Sequence, residues 1–107
     1  INGLKKGEFN PPTVPPGLDY GSLQELISNA EIELKALDKD MINAFEGAEV
    51  VFKMGATSLP FIAENFIVSF SLPNFYFHAT TAYGILRKEG VPLGKMDFLG
   101  VMRMKGN

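Results

Sequence analysis

The stretch AENFIVSFSLPNFYFHATTAYGILRKEG, residues 63–90, decides the fold that we expect for this chain. Its apolar residues recur at helical spacing. It closes with Arg87, Lys88 and Gly90, the basic residues and glycine that are typical of a helix C-terminus. Pro73 lies inside the stretch and predicts a kink or a break just before it. The sequence therefore predicts a long helix over residues 63–90.

Aromatic residues lie on several sides of this predicted helix. They are Phe66, Phe70, Phe75, Tyr76, Phe77 and Tyr83. A helix that is apolar on most sides must be covered on more than one side, and the rest of this chain is too short to do so. We therefore expect a homo-oligomer, most simply a two-fold dimer, or a missing N-terminal segment that completes the fold.

A polar stripe lies in the middle of the same helix. Asn74, His78 and Thr81 are separated by four and three residues, so they share one helix face. If that face is buried, the three polar groups need a partner, a water molecule, a metal ion or a ligand. One interpretation is a ligand-binding site formed by Asn74, His78 and Thr81, with His78 as a metal ligand. The other is a solvated face, or a histidine that is hydrogen-bonded only for packing.

Upstream of this helix the sequence predicts two further elements. Residues 1–21 contain four prolines, which prevent helix formation. This range is therefore predicted to be a proline-rich connector. A helix is predicted over residues 22–45, where Ser22 and Glu25 have the spacing of a capping box.

A β-hairpin is predicted between the two helices, over residues 49–62. Apolar and other residues alternate from residue 49 to residue 54, and a turn sequence follows. Pro60 restricts the second strand to the edge of a sheet. At the other end of the chain, residues 91–107 are interpreted as an irregular tail that packs through Phe98 and Leu99.

Composition excludes several classes of protein. A chain of 107 residues has room for one small domain, so we expect residues 1–107 to form a single domain. The net charge of −2 argues against nucleic-acid and anionic-membrane partners. The chain has no cysteine, which excludes disulfides and cysteine-ligated metal sites. It also shows no signal peptide or membrane span, and we therefore expect a soluble, cytoplasmic protein.

Two strings carry a family resemblance: LPNFYFHATTAYGILR at residues 72–87 and GVPLGKMDFLG at residues 90–100. Together they resemble the C-terminal signature of an uncharacterised domain-of-unknown-function family in the DinB-like superfamily. The resemblance implies an all-α four-helix bundle, of which this chain is the C-terminal portion. A small β-hairpin would precede the last long helix, and residues 1–6 would end a preceding helix.

The resemblance also bears on function. Members of the superfamily often hold a divalent metal with three histidines on facing helices, and some are metal-dependent thiol transferases. His78 is the only histidine of this chain, so a divalent metal would need further ligands. Two functions are therefore predicted. The first is a helical-bundle protein without catalysis that binds a small ligand at the polar stripe. The second is a metal-dependent transferase-like enzyme with His78 in its pocket.

Overall fold

The computed structural model describes residues 1–106. They divide into two compact units, one of residues Ile1–Ile67 and one that begins at Val68. In chain order the elements are α1 (Asn2–Lys6), β1 (Glu8–Phe9), α2 (Tyr20–Lys35), α3 (Lys39–Asn43), β2 (Glu49–Met54), β3 (Thr57–Ile62), α4 (Ala63–Phe66), a π-helical segment (Ile67–Ser71), α5 (Leu72–Lys88) and α6 (Lys95–Leu99). Among residues 1–106, no helix combines the length and the apolarity needed to cross a membrane.

A three-stranded mixed sheet organises the first unit. Its strand order is β1-β2-β3, with β1 parallel and β3 antiparallel to the central strand. The Val51 N–H donates to the Gly7 carbonyl at 2.9 Å, so it faces β1. Pro60 is the residue of β3 opposite Val51, and its nitrogen therefore lies on the free edge, where no ladder hydrogen bond is lost. The edge position predicted from Pro60 is confirmed.

The core of the first unit is an aromatic cluster on this sheet. The Phe66 ring centre lies 5.5 Å from that of Phe9, 6.5 Å from that of Phe52 and 5.7 Å from that of Phe61. These separations are those of favourable aromatic pairs. The buried apolar residues of the described chain are Leu4, Val50, Phe52, Ala63 and Phe66. All five belong to the first unit.

The predicted all-α four-helix bundle is wrong, because the chain contains this mixed sheet and builds its core on it. Neither α2 nor α5 contributes a buried residue. Val50 and Phe52 lie two residues apart in β2 and are therefore on one face of the strand. There Phe52 meets Phe9 and Phe66, so apolar area is buried against a sheet rather than along a helical seam.

Residues 22–45, predicted as one helix, are divided between α2, which begins earlier at Tyr20, and α3. The interruption falls at Asp38, whose backbone is extended and which precedes α3 as its N-cap residue. Aspartate favours N-cap positions over helix interiors because its short side chain competes for backbone hydrogen bonds.

The start of α2 also differs from the prediction. Asp19, not Ser22, is the N-cap residue, and its carboxylate accepts hydrogen bonds from the backbone N–H and the hydroxyl of Ser22, both at 2.8 Å. The backbone hydrogen bond is the main reason that the pKa of Asp19 is lowered. Both residues are favourable caps, and the aspartate lies three residues earlier in the chain.

The segments predicted as connector and tail contain regular structure. α1 and β1 lie within residues 1–21, and the proline-rich part that follows them is neither helix nor strand. α6 lies within residues 91–107, of which Asn107 is outside the described residues.

The break predicted before Pro73 takes the form of the π-helical segment Ile67–Ser71. Pro73 then lies in the first turn of α5. Proline has no N–H to donate to the carbonyl four residues earlier, but that hydrogen bond is not needed in a first helical turn.

Candidate functional site

The second unit is built around α5, whose end is closed by a specific hydrogen-bond motif. Gly90 has φ of 90°, the left-handed conformation that glycine adopts at low cost. The Val91 N–H donates to the Leu86 carbonyl at 3.0 Å and the Gly90 N–H to the Arg87 carbonyl at 3.1 Å, which is a Schellman motif. The C-terminal position predicted for Gly90 is confirmed. This motif ends the helix and turns the chain toward α6.

The polar stripe lies on an exposed face of α5. Asn74, His78 and Thr81 are all solvent-exposed. The Thr81 hydroxyl donates to the Phe77 carbonyl at 2.7 Å, and the His78 ring lies edge-on to the Phe77 ring with centres 5.2 Å apart. Helical spacing therefore places the three predicted ligand-binding residues side by side, but on the surface rather than in a core.

The described residues do not fit the metal site that the resemblance to the DinB-like superfamily implies. No group of three or more histidine, cysteine, aspartate or glutamate side chains lies close enough together in residues 1–106 to hold a metal ion. The ring of His78, the single histidine of the sequence, lies edge-on to that of Phe77. A three-ligand divalent site needs further donors around it. The side chains around His78 therefore support no catalytic step that passes through a metal.

A groove of about 350 Å³ lies in the second unit. We call it the aromatic groove. Its lining from α5 is Phe75, Tyr76, Ala79, Ala82, Tyr83 and Leu86, and its lining from the chain around α6 is Leu93, Asp97 and Phe98. The α5 members lie roughly a third of a turn around the helix from the polar stripe.

Local hydrogen bonds hold the α6 side of the groove. The Gly94 N–H donates to Oδ2 of Asp97 at 2.7 Å, and the Asp97 N–H donates to the Gly94 carbonyl at 3.2 Å. These bonds fix the first turn of α6. Phe98 of that helix then packs edge-on to Tyr83, with ring centres 5.5 Å apart. The contact predicted for Phe98 is therefore present, and its partner is Tyr83.

Arg87 contacts Tyr83, one of the groove residues. Its guanidinium lies 5.7 Å from the centre of the Tyr83 ring, within the range of a cation–π contact, and Nη1 donates to the Tyr83 hydroxyl at 3.4 Å. The phenol ring is thus held between Arg87 and Phe98. Because two neighbours hold this side chain, one wall of the groove is formed in advance of any binding.

The chemistry of the groove is that of an apolar binding surface. Its walls are aromatic, and Ala79 and Ala82 provide small side chains between them. Asp97 is its charged member, and one of its carboxylate oxygens already accepts a hydrogen bond from Gly94. The arrangement offers shape and apolar area to a partner.

Sequence reasoning singled out the polar stripe and did not identify the aromatic groove. The signal was present, since positions 72, 75, 76, 79, 82, 83 and 86 follow the three- and four-residue spacing of a helical seam. The aromatic residues indicated only that the helix needed covering. The groove becomes evident only when the aromatic residues are assigned to separate faces of the helix, because one of these faces also carries Ala79 and Ala82.

A second groove, of about 450 Å³, belongs to the first unit. It is lined by Ile1, Asn2, Lys5, Ala30, Glu33, Leu34, Ala36 and Leu37. Its lining mixes charged, polar and aliphatic groups and includes no aromatic ring. The aromatic groove therefore has the stronger binding character.

No curated protein and no solved structure matches the sequence significantly. A family described as Domain of unknown function (DUF1993) matches residues 5–99, which is most of the sequence, and the chain belongs to that family.

Proposed function

We propose that this chain is a binding module without a catalytic centre of its own, and that it binds an apolar helical partner in the aromatic groove. The observation that carries the proposal is the exposure of α5. This helix of 17 residues buries none of them, and even its large aromatic residues Phe75 and Tyr76 are 62% and 55% exposed. Contiguous exposed apolar patches of this kind mark interaction surfaces.

The charge pattern of α5 supports binding rather than simple exposure to water. From Leu72 to Leu86 the sequence contains no aspartate, glutamate, lysine or arginine. A solvated helix face ordinarily carries such residues. A partner that covers this stretch therefore does not have to remove any charged side chain of α5 from water.

The shape of the groove favours a helix as the partner. We call positions 72, 75, 76, 79, 82, 83 and 86 of α5 the seam. Large side chains lie at its ends, and Ala79 and Ala82 lie between them. Small residues let a second helix approach closely while the flanking aromatic rings pack beside it.

Dye binding tests this proposal. We expect 8-anilinonaphthalene-1-sulfonate to fluoresce with the wild-type chain at low protein concentration, and the Ala82→Arg variant to lose most of that signal. Ile85→Arg is the matched control, because Ile85 is exposed on α5 and is not among the groove residues. Far-ultraviolet circular dichroism verifies that both variants keep their helices. Equal dye binding by Ala82→Arg and the wild type would rule out the groove as the binding site.

A small-ligand site at Asn74, His78 and Thr81 stays a prediction. It is supported by the alignment of the three side chains on one exposed face of α5. It is weakened by the Thr81 hydroxyl, whose proton is already donated to the Phe77 carbonyl.

Membership of the DinB-like superfamily is likewise part of this proposal. It rests on the two strings at residues 72–87 and 90–100. It adds no catalytic activity, because the donors of a metal-dependent transferase do not come together in residues 1–106.

A further inference from the structure

We infer that the partner in the aromatic groove is the α5 helix of a second copy of this chain, packed antiparallel with Ala79 on the two-fold axis. The inference rests on the proposed function, since it names the occupant of that same groove. Its basis is the order of large and small residues along the seam.

The seam is self-complementary in size when Ala79 lies on the axis. In an antiparallel pair with that centre, each residue faces the residue of the second copy for which the two residue numbers add up to twice 79. Tyr76 then faces Ala82 of the second copy, and Phe75 faces Tyr83. A large residue meets a small one in the first case, and two aromatic rings meet in the second. At the centre two alanines face each other and allow close approach.

The outer positions of the same register also match. Leu72 faces Leu86 of the second copy, so each end of the contact pairs two leucines that are 45% exposed in the chain by itself. An isologous interface requires this reciprocity, because every contact occurs twice. Antiparallel packing also sets the N-terminus of each helix beside the C-terminus of the other, which opposes the two helix dipoles favourably.

The available area is at the lower limit for a specific contact. Leu72, Phe75, Tyr76, Leu86 and Phe98 each expose between 38% and 62% of their surface. An aromatic side chain buries about 150–250 Å² when fully covered, so these three aromatic residues and two leucines offer on the order of 500 Å² per copy. Two copies would bury about 1,000 Å², the lower limit for a specific interface. We therefore expect a dimer that dissociates on dilution.

Cysteine cross-linking tests the register, because the chain contains no cysteine of its own. The Ala79→Cys variant should form a disulfide-linked dimer under mild oxidation at submillimolar concentration, and this dimer should be the major species on a non-reducing gel. Residues on a two-fold axis face their own copies at close range, which a disulfide requires. Circular dichroism verifies that the variant is folded.

The matched control is Ile85→Cys on the same helix. In the proposed register its two copies lie about 18 Å apart along the helix axis, too far for a disulfide. A mixture of the Tyr76→Cys and Ala82→Cys variants should give a mixed disulfide dimer, with much less dimer from either variant alone. Cross-linking of Ala79→Cys and Ile85→Cys to the same extent would overturn the register.

Native mass spectrometry of the wild type separates this inference from the proposed function. We expect a species of twice 11.7 kDa that grows with concentration, while dye fluorescence per chain falls as the grooves fill. A monomer at every concentration, with dye binding that depends on Ala82, overturns the inference and leaves the proposed function standing. A dimer in which Ala79→Cys does not cross-link shows that another surface, such as α2, pairs the copies, and it also overturns the inference.

Discussion

The two units of this chain use their aromatic residues in opposite ways. In the first unit Phe66 is 5% exposed and packs against Phe9, Phe52 and Phe61, and Val50 of the same unit is fully buried. In the second unit Phe75 and Phe77 are 62% and 66% exposed on a helix without a buried residue. The same residue type therefore stabilises a core in one unit and presents a surface in the other. Hydrophobicity by itself does not distinguish these roles, since both patterns satisfy helical or strand periodicity.

Replacing one phenylalanine by alanine in each unit should give the largest difference in the free energy of unfolding between the two units. Phe66→Ala should lower the free energy of unfolding by about 3–5 kcal/mol, because it leaves a cavity in the aromatic cluster. Phe75→Ala, measured at low concentration, should cost less than about 1 kcal/mol, as is usual for surface sites. Urea denaturation measures both values.

A milder pair keeps this test usable if Phe66→Ala does not fold. Phe66→Leu and Phe75→Leu should differ in the same direction, with the larger loss at residue 66. Equal losses at the two positions would show that α5 is as well packed as the core, and the contrast between the units would be wrong.

Acid should destabilise the first unit, because three carboxyl groups with lowered pKa values lie there. Lys53, which donates a hydrogen bond to Glu8, lowers the pKa of Glu8, and the Ser22 backbone N–H does the same for Asp19. The pKa of Glu64 is lowered by its own backbone N–H and by the Gly47 N–H, which donates to Oε2 at 3.0 Å.

The sign of the effect follows from linkage. A carboxyl group with a lowered folded-state pKa contributes stability above its unfolded-state pKa, and this contribution is lost as the pH falls through the folded-state value. The thermal midpoint of the first unit should therefore fall as the pH drops below about 4. Nuclear magnetic resonance of the Val50 amide during thermal unfolding follows this unit.

Glu64→Gln is the matched variant for the acid experiment. Glutamine keeps an acceptor oxygen for the Gly47 N–H but does not titrate in this range. The midpoint of this variant should be lower than that of the wild type at neutral pH and should change less on acidification. Parallel pH curves for the two proteins would show that the Glu64 contact with Gly47 adds no pH-dependent stability.

The smallest effect is expected at the polar stripe. Because His78 is exposed, His78→Leu should change the free energy of unfolding by no more than about 0.5 kcal/mol. Dye binding in the aromatic groove should also stay unchanged, since His78 is not among the groove residues. Urea denaturation and dye titration give the two readouts. A loss of small-ligand affinity in this variant would instead favour the polar stripe as a binding site.

Local signals explain which parts of the fold were predictable. β2 and β3 occupy Glu49–Met54 and Thr57–Ile62, inside the range where alternation predicted a hairpin. Gly90 closes α5 because the left-handed conformation is cheap for glycine and for few other residues. Both features depend on residues that are close in sequence.

Non-local pairing explains what was missed. β1 has only two residues, too few for a period, and it pairs with β2 about forty residues later, with Glu8 facing Val51. The choice of Asp19 over Ser22 as the cap of α2 was also not readable, because both residue types cap helices well. A two-residue strand and a choice between equivalent caps are settled by the surrounding chain.

The sequence by itself determined the helix of the second unit, its C-terminal motif, the hairpin and the membership of an uncharacterised family. Each of these depends on local spacing or on contiguous strings of residues. Only the tertiary structure decided that the core forms on a mixed sheet and that Asn74, His78 and Thr81 lie on the surface. The physical reason is that helical periodicity determines which residues share a face, whereas burial of that face depends on which other element packs against it.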